Sequence, residues 1–290
     1  MEYKKILENL SIEIGPVGMG GCKNHGSSYD CCEYDITIFD DKKDEESFLE
    51  HDGVFYHIYH GTMQETSPEI LLQYDNMMIL LDEQWELRML ISKIKEKREQ
   101  IFNAYIKNCL VEAGVCVTKA KHGLNSDPYS SSWVKCAAYF LADAVSALNF
   151  HRPSPVHMLK SLRELPKNRT NETISVITDS IGIERATSSL LSRMLKSTMG
   201  FSDLIEDNSH SKIISRKYNY MIENSLLSDC YFYLGYVNRN NFKKIQDLHR
   251  KPELIHILKT AFDLENDTRI ESDANNLYDA TNFLLSLSHQ

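Results

Sequence analysis

Two acidic residues near the start of the chain could bind a divalent cation together. Glu33 and Asp35 flank Tyr34 and lead into residues 36–39, whose apolar, β-branched content predicts a strand. Because side chains alternate across a strand, Glu33 and Asp35 are expected on the same face, close enough for their oxygens to share one ion. Magnesium is a hard ion that prefers oxygen ligands, so this pair predicts a Mg²⁺ site in which Mn²⁺ is a possible substitute.

A pair of glycines, Gly20 and Gly21, follows a short apolar run and precedes the acidic pair. Glycines have no side chain, so their backbone N–H groups can approach a phosphate closely. Glycines beside a metal-binding acidic pair indicate a nucleoside triphosphate as ligand. The alternative is structural, since glycine turns before strands and acids at strand edges are both common.

These residues resemble the first motif of the nucleotidyltransferase superfamily, which has a polymerase-beta-like catalytic core. That motif places a hydrophobic residue and Gly-Gly or Gly-Ser before a spacer and an acid–hydrophobic–acid–hydrophobic run. Met19-Gly20-Gly21 and Glu33-Tyr34-Asp35-Ile36 follow that order, although the first acid is usually Asp. The resemblance implies that Glu33 and Asp35 are catalytic metal ligands. It also implies that Gly20, Gly21, Ser27 and Ser28 bind the phosphate tail of an NTP.

The chain departs from this family where the third catalytic acid is expected. Residues 53–60 form the predicted third strand, which contains no Asp or Glu; His57 and Tyr59 share one of its faces. A histidine ligand would favour a softer ion such as Mn²⁺ or Zn²⁺ over Mg²⁺. Glu65, in the following loop, is another candidate for the missing ligand. The histidines could equally be ordinary residues of a half-exposed strand.

Two functions therefore remain open. The first is an enzyme that transfers a nucleoside monophosphate from an NTP to a hydroxyl of a small molecule or a protein. The second is a catalytically degenerate relative that binds a nucleotide or acts as a regulatory or interaction protein. A third possibility is that the motif is accidental in a helical scaffold.

The pattern of elements predicts an α+β fold, with a small mixed sheet followed by an all-α bundle. The sequence predicts a helix at 2–10, strands at 11–17, 36–39, 53–60 and 77–81, and a loop at 40–52. Asp82 is expected to cap the long amphipathic helix that begins near residue 83. The predicted domains are a nucleotidyltransferase-like core at 1–90, a helical domain at 91–165 and a helical region at 166–290. The second of these resembles the helical domain of kanamycin-type nucleotidyltransferases.

A few residues of the helical part could reach a substrate. Asp143 could be a base or a substrate ligand, or an aspartate on a helix surface. Lys135, Arg152 and Lys160 could contact phosphates. Six aromatic residues could form a stacking surface for a base or a partner chain, including a second copy in a homo-oligomer, or could pack the bundle interior: Tyr218, Tyr220, Tyr231, Phe232, Tyr233 and Tyr236.

Composition limits the possible partners. The 290 residues are 42% hydrophobic and 25% charged, with a net charge of −9. Residues 1–90 hold 6 Lys and Arg against 19 Asp and Glu, which makes nucleic acid an unexpected partner for this part. The sequence has no apolar signal core and no membrane-spanning run, so a cytoplasmic protein is expected. The seven cysteines lack paired CxxC spacing, which favours reduced structural thiols.

Overall fold

The computed structural model describes residues 2–26, 28–42, 46–124, 126–205, 209–245, 251–264 and 269–287. The chain forms two compact units, residues 1–102 and 103–290. A five-stranded mixed sheet lies in the first unit, and the second is helical. The predicted α+β class is therefore confirmed, whereas the predicted division of the helical part at residue 165 stays a prediction.

The strands of the sheet are β1 (Val17–Gly20), β2 (Tyr34–Phe39), β3 (Glu46–His51), β4 (Val54–Gly61) and β5 (Met78–Leu81). Their order is β3-β4-β2-β1-β5. Strand β1 pairs antiparallel with β2 and β5, and β3 pairs antiparallel with β4. The sheet is mixed because β2 pairs parallel with β4.

Helices pack on the sheet through two apolar clusters. Helix α1 (Glu2–Asn9) contributes Ile6 to a cluster that includes Val17, Met19, Ile36 and Tyr56. The other cluster joins Phe39 to buried side chains of helices α2 (Pro68–Tyr74) and α3 (Glu86–Glu96). Since alternate residues of a strand face opposite ways, Ile36 lies in one cluster while Asp35 shares its face with Phe39.

The predicted strand at 11–17 is wrong, because the strand begins only at Val17. Helix α1 ends in a turn in which Ile12 N donates to Leu7 O, and Ser11 has a positive φ of 53°. Ile14 is 81% exposed, so the apolar alternation that suggested a strand does not correspond to a buried face.

The predicted loop at 40–52 is also wrong in its second half, which forms strand β3. Asp52 and Gly53 make the turn between β3 and β4, with φ values of 51° and 74°. Positive φ at both central residues is typical of a two-residue hairpin, for which Asp-Gly is a favoured sequence.

The helix predicted from residue 83 is interrupted once. Helix α3 ends at Glu96 and α4 (Arg98–Gly123) begins after Lys97. Backbone hydrogen bonds continue across the break, from Lys97 N to Lys93 O and from Ile101 N to Lys97 O. The helical spacing of apolar residues in the sequence therefore continues through it. The predicted cap is confirmed, because the Asp82 carboxylate accepts hydrogen bonds from Leu87 N and Arg88 N at 3.2 and 3.0 Å.

The helical unit is built around α5 (Ser130–Leu148), which is buried along nearly its whole length. Its alanines allow neighbouring helices to approach closely, and it contacts α6, α7, α10 and α12. None of the described helices combines the length and the apolar character that crossing a bilayer would require. The remaining helices are α6 (Met158–Glu164), α7 (Thr173–Ile181), α8 (Ser188–Ile205), α9 (Ser209–Glu223), α10 (Leu227–Lys244), α11 (Leu254–Ala261) and α12 (Ile270–Leu287).

Candidate metal centre

The parallel pairing of β2 with β4 brings an acid and a histidine together. Asp35 lies opposite His57 in the register, and Glu33 immediately precedes β2. One ligand atom from each of Glu33, Asp35 and His57 lies within 4.8 Å of the other two, a spacing that could hold a metal ion. The face shared by the two acids is therefore the one from which His57 projects, as expected from strand alternation.

The imidazole of His57 is held on several sides. Its ring lies 3.9 Å, between centroids, from the rings of both Phe48 and Tyr59. Nε2 lies 3.1 Å from Glu46 Oε2, and Nδ1 lies 2.6 Å from the Tyr59 hydroxyl and 3.8 Å from Asp35 Oδ1. Since a carboxylate can only accept, Nε2 carries the proton that it donates to Glu46. In the neutral ring, Nδ1 then accepts a hydrogen bond from the Tyr59 hydroxyl.

The donor set fits a divalent cation. Two carboxylates held close together repel each other unless a positive charge lies between them, and both are only half-buried. A histidine whose other nitrogen donates to a carboxylate is the usual arrangement of a metal-binding imidazole. Two oxygens and one nitrogen suit Mn²⁺ or Zn²⁺ at least as well as Mg²⁺.

Gly21 lies against the Asp35 carboxylate and cannot be replaced without moving it. A Cβ at this position would lie 1.8 Å from Asp35 Oδ2, and Gly21 has a φ of 71°, in the region that favours glycine. Its neighbour Gly20 ends β1 and is paired with Asp35 in the register. Both predicted glycines therefore lie beside the predicted metal ligand.

The other residues predicted to bind phosphate are less informative. Ser27 lies outside the described residues, and Ser28 is half-buried in the segment before β2. Glu65 accepts hydrogen bonds at 2.8 Å from Thr66 N and Ser67 N, at the start of α2. Glu65 therefore caps the N-terminus of α2. Among the described residues, the group that could hold a metal with Glu33 and Asp35 contains His57 and not Glu65.

The surroundings of Cys22, next to this centre, favour its thiol form. The pKa of Cys22 is raised by a hydrogen bond with Cys32, by burial, and by the negative charges of Asp35 and Glu33. A thiol with a raised pKa is a poor metal ligand, because the thiolate is the form that binds. The seven cysteines all lie in the described ranges, and none of them forms a disulfide.

The candidates in the helical unit are held in structural contacts or lie at the surface. Asp143 is 1% exposed and pairs with Arg239, so neither the surface interpretation nor the substrate-ligand interpretation describes it. Lys135 is buried and donates to backbone carbonyls, whereas Arg152 is half-buried and Lys160 is exposed. Of the aromatic residues, four are buried in the bundle, as one of the two interpretations predicts: Tyr231, Phe232, Tyr233 and Tyr236.

Sequence reasoning missed Glu46, the partner of His57. The Asp52-Gly53 dipeptide is a hairpin signal that could have revealed it. A two-residue turn there pairs His51 with Val54, and counting back along both strands places Glu46 opposite Tyr59. Glu46 thus lies on the same face as His57.

The chain matches no protein-family model, and no curated protein is significantly similar to it. The resemblance to nucleotidyltransferases therefore rests on the residues and their geometry. Any function derived from it is a proposal.

Proposed function

We propose that this protein transfers a nucleoside monophosphate from an NTP to a hydroxyl acceptor. The observation that carries the proposal is the convergence of Glu33, Asp35 and His57 beside the backbone of Gly21. The Asp35 carboxylate lies so close that residue 21 has no space for a side chain. Such an arrangement places a metal-binding acidic pair beside a glycine turn, whose backbone N–H groups are suited to contact a phosphate.

In this proposal the acids and the glycines have separate tasks. Glu33, Asp35 and His57 hold the divalent cation, Mg²⁺ or Mn²⁺, which supplies stabilisation of the charge that develops on the phosphates. Gly20 and Gly21 present their backbone to the triphosphate, and Ser28 is a further candidate contact. The acceptor hydroxyl attacks the α-phosphorus. The bond between the α-phosphorus and the oxygen that bridges it to the β-phosphate breaks, and pyrophosphate leaves. The hydroxyl proton passes to solvent or a nearby base.

The class of acceptor is inferred from the negative charge of the first unit. The acidic residues of the first unit disfavour a long nucleic acid, whose phosphates require cationic partners. A small-molecule hydroxyl or a hydroxyl on a protein is the preferred acceptor class.

One observation favours the second candidate, a nucleotide-binding protein without transfer activity. The position of the third acid is occupied by His57, and its Nδ1 already has the Tyr59 hydroxyl at 2.6 Å. A cation that binds Nδ1 has to displace this hydroxyl, which weakens the site relative to three carboxylates.

Calorimetry and a product assay separate these possibilities. ATP, GTP, CTP and UTP are titrated into the protein with Mg²⁺ or Mn²⁺, and pyrophosphate release is then measured with a mixture of small hydroxyl compounds and proteins as acceptors. Binding with release supports transfer, and binding without release supports the second candidate. If no nucleotide binds with either metal, both are wrong.

A further inference from the structure

A pocket in the helical unit lies among α5, the end of α7 and the start of α12. Its volume is about 260 Å³, below the range of roughly 300–1,000 Å³ typical of sites for drug-sized ligands. Seven of its lining side chains are charged, which is unusual for a cavity that merely results from imperfect packing. All the residues that line this pocket belong to the helical unit.

The first cation of this pocket is Lys135, which is only 8% exposed. Its ammonium donates to Ser180 O at 3.2 Å and to Ile181 O at 2.7 Å, at the C-terminus of α7. An ammonium has three N–H donors, so these two bonds leave one. Among the described residues, no carboxylate lies within ion-pair distance of this ammonium, although buried charges are normally paired.

The surroundings of Lys135 disfavour its charge. Burial, and after it the Arg185 cation, lower the pKa of Lys135 to about 7, although Asp263, Asp273 and Glu184 act in the opposite direction. An anion that enters the pocket would favour the protonated form, because an opposite charge nearby stabilises the ammonium.

The second cation is Arg185, whose guanidinium lies against Gly182. A Cβ on Gly182 would be 2.5 Å from Arg185 Nη2. Nη2 donates to the Tyr231 hydroxyl at 3.2 Å. Nε forms an ion pair with Asp263 Oδ2 at 3.1 Å, but this buried N–H makes no hydrogen bond among the described residues. Arg185 therefore also has an unused donor.

We infer that this pocket binds a small monocarboxylate, whose oxygens lie between the Lys135 ammonium and the Arg185 guanidinium. A carboxylate matches the planar donors of Arg and can accept from an ammonium with its second oxygen. Four acids, Asp179, Glu184, Asp263 and Asp273, and a third cation, Arg269, also line the pocket, so a second negative charge on the ligand is disfavoured. This site is independent of the proposed nucleotide chemistry.

Titration of the protein with acetate, propionate and butyrate tests the inference by saturation-transfer NMR. These acids stay ionised from pH 6 to pH 8.5, whereas Lys135 loses its proton in that range. We expect saturable binding at pH 6 that weakens about 30-fold by pH 8.5, because only the protonated lysine binds the anion. Binding that is absent, or that does not change with pH, overturns the inference.

Two variants of the pocket, one control variant and one labelling experiment locate the site. Lys135→Met should abolish binding, whereas Lys160→Met, at an exposed lysine, should leave it unchanged. Arg185→Lys should weaken it while keeping the charge, since the planar donor pair is lost. If Lys135→Met does not fold, acetylation of the wild-type protein at pH 8 replaces it: butyrate should slow modification of Lys135 and not of Lys160. Equal modification with and without butyrate, or tighter binding of inorganic phosphate than of butyrate at pH 8, contradicts the proposal.

Discussion

The two units of the molecule each contain an aspartate close to a basic side chain, in opposite physical situations. Asp35 of the sheet is half-buried beside another acid and a histidine. Asp143 of the bundle is buried, with Arg239 Nη2 at 2.9 Å and the Tyr236 hydroxyl at 2.8 Å. The first arrangement has excess negative charge and access to solvent, so it can take up a cation. The second is already neutral and enclosed.

The surroundings of Arg239 show how the charge of the buried pair is balanced. Its guanidinium carbon lies 4.5 Å from the ring centre of Phe140 and 4.3 Å from that of Tyr236. Burial disfavours the charge, but Tyr236 and Asp143 keep the pKa of Arg239 above its ordinary value. A charged residue can therefore be conspicuous in a sequence and serve only stability. Which of the two roles it has depends on whether its charge is balanced within the fold.

Removing the charge of Asp143 should have the largest effect on stability. We expect Asp143→Asn to lower the free energy of unfolding by about 3–5 kcal/mol, because it leaves Arg239 charged and unpaired in the interior. Urea denaturation followed by circular dichroism measures the change. Asp279→Asn, at an exposed position of α12, is the control and should have little effect. A loss below about 1 kcal/mol would mean that the pair is not an essential part of the core.

Removing the charge of Asp35 should have the opposite consequences. We expect Asp35→Asn to reduce pyrophosphate release at least about 100-fold, since the proposed metal centre loses a ligand. The melting temperature should stay the same or rise, because repulsion with Glu33 is relieved. Asp41→Asn, just beyond β2, is the matched control for both measurements. Normal transfer by Asp35→Asn would remove this residue from the proposed centre.

Substitution of His57 should change which metal ion the proposed centre prefers, without removing the centre. His57→Asp restores a third carboxylate, so the ratio of Mg²⁺-supported to Mn²⁺-supported activity should rise about tenfold. His57→Gln, which offers neither a carboxylate nor an imidazole, should lower activity with both metals. An unchanged ratio in His57→Asp would show that residue 57 does not contact the ion.

Glu46 should have the smallest effect, because it acts only through His57. We expect Glu46→Ala to weaken Mn²⁺ binding about tenfold, since the imidazole loses the acceptor that orients it. Electron paramagnetic resonance of free Mn²⁺ during a titration measures the affinity. Glu50→Ala, another exposed acid of β3, should bind Mn²⁺ like the wild type. Equal losses in both variants would indicate a general effect of negative charge.

Local patterns predicted most of the strands around the centre. The apolar run after Asp35 predicted β2, and the aromatic run after Gly53 predicted β4. Alternation correctly indicated that Glu33 and Asp35 lie on one face of β2. It also indicated that His57 and Tyr59 lie on one face of β4. No local pattern states that these two faces are the same, because that depends on which strands pair and in which register.

The failures have physical causes as well. Residues 11–17 alternate in sequence, but the chain there is turning out of α1 and exposes Ile14. Asp143 looks like a surface residue of a helix, and only the position of α10 buries it against Arg239. Lys135 is similar, since its partners are carbonyls of α7 some 45 positions further along the chain.

By itself, the sequence determined the α+β class, the acidic pair at the start of β2 and the glycines beside it, because these depend on periodicity and residue type within short segments. Only the tertiary structure decided that His57 completes this group, that Glu46 orients it, and that Asp143 is neutralised by Arg239. These contacts join residues that are distant in the chain. Their distances and burial are fixed by strand register and helix packing, which no local pattern contains.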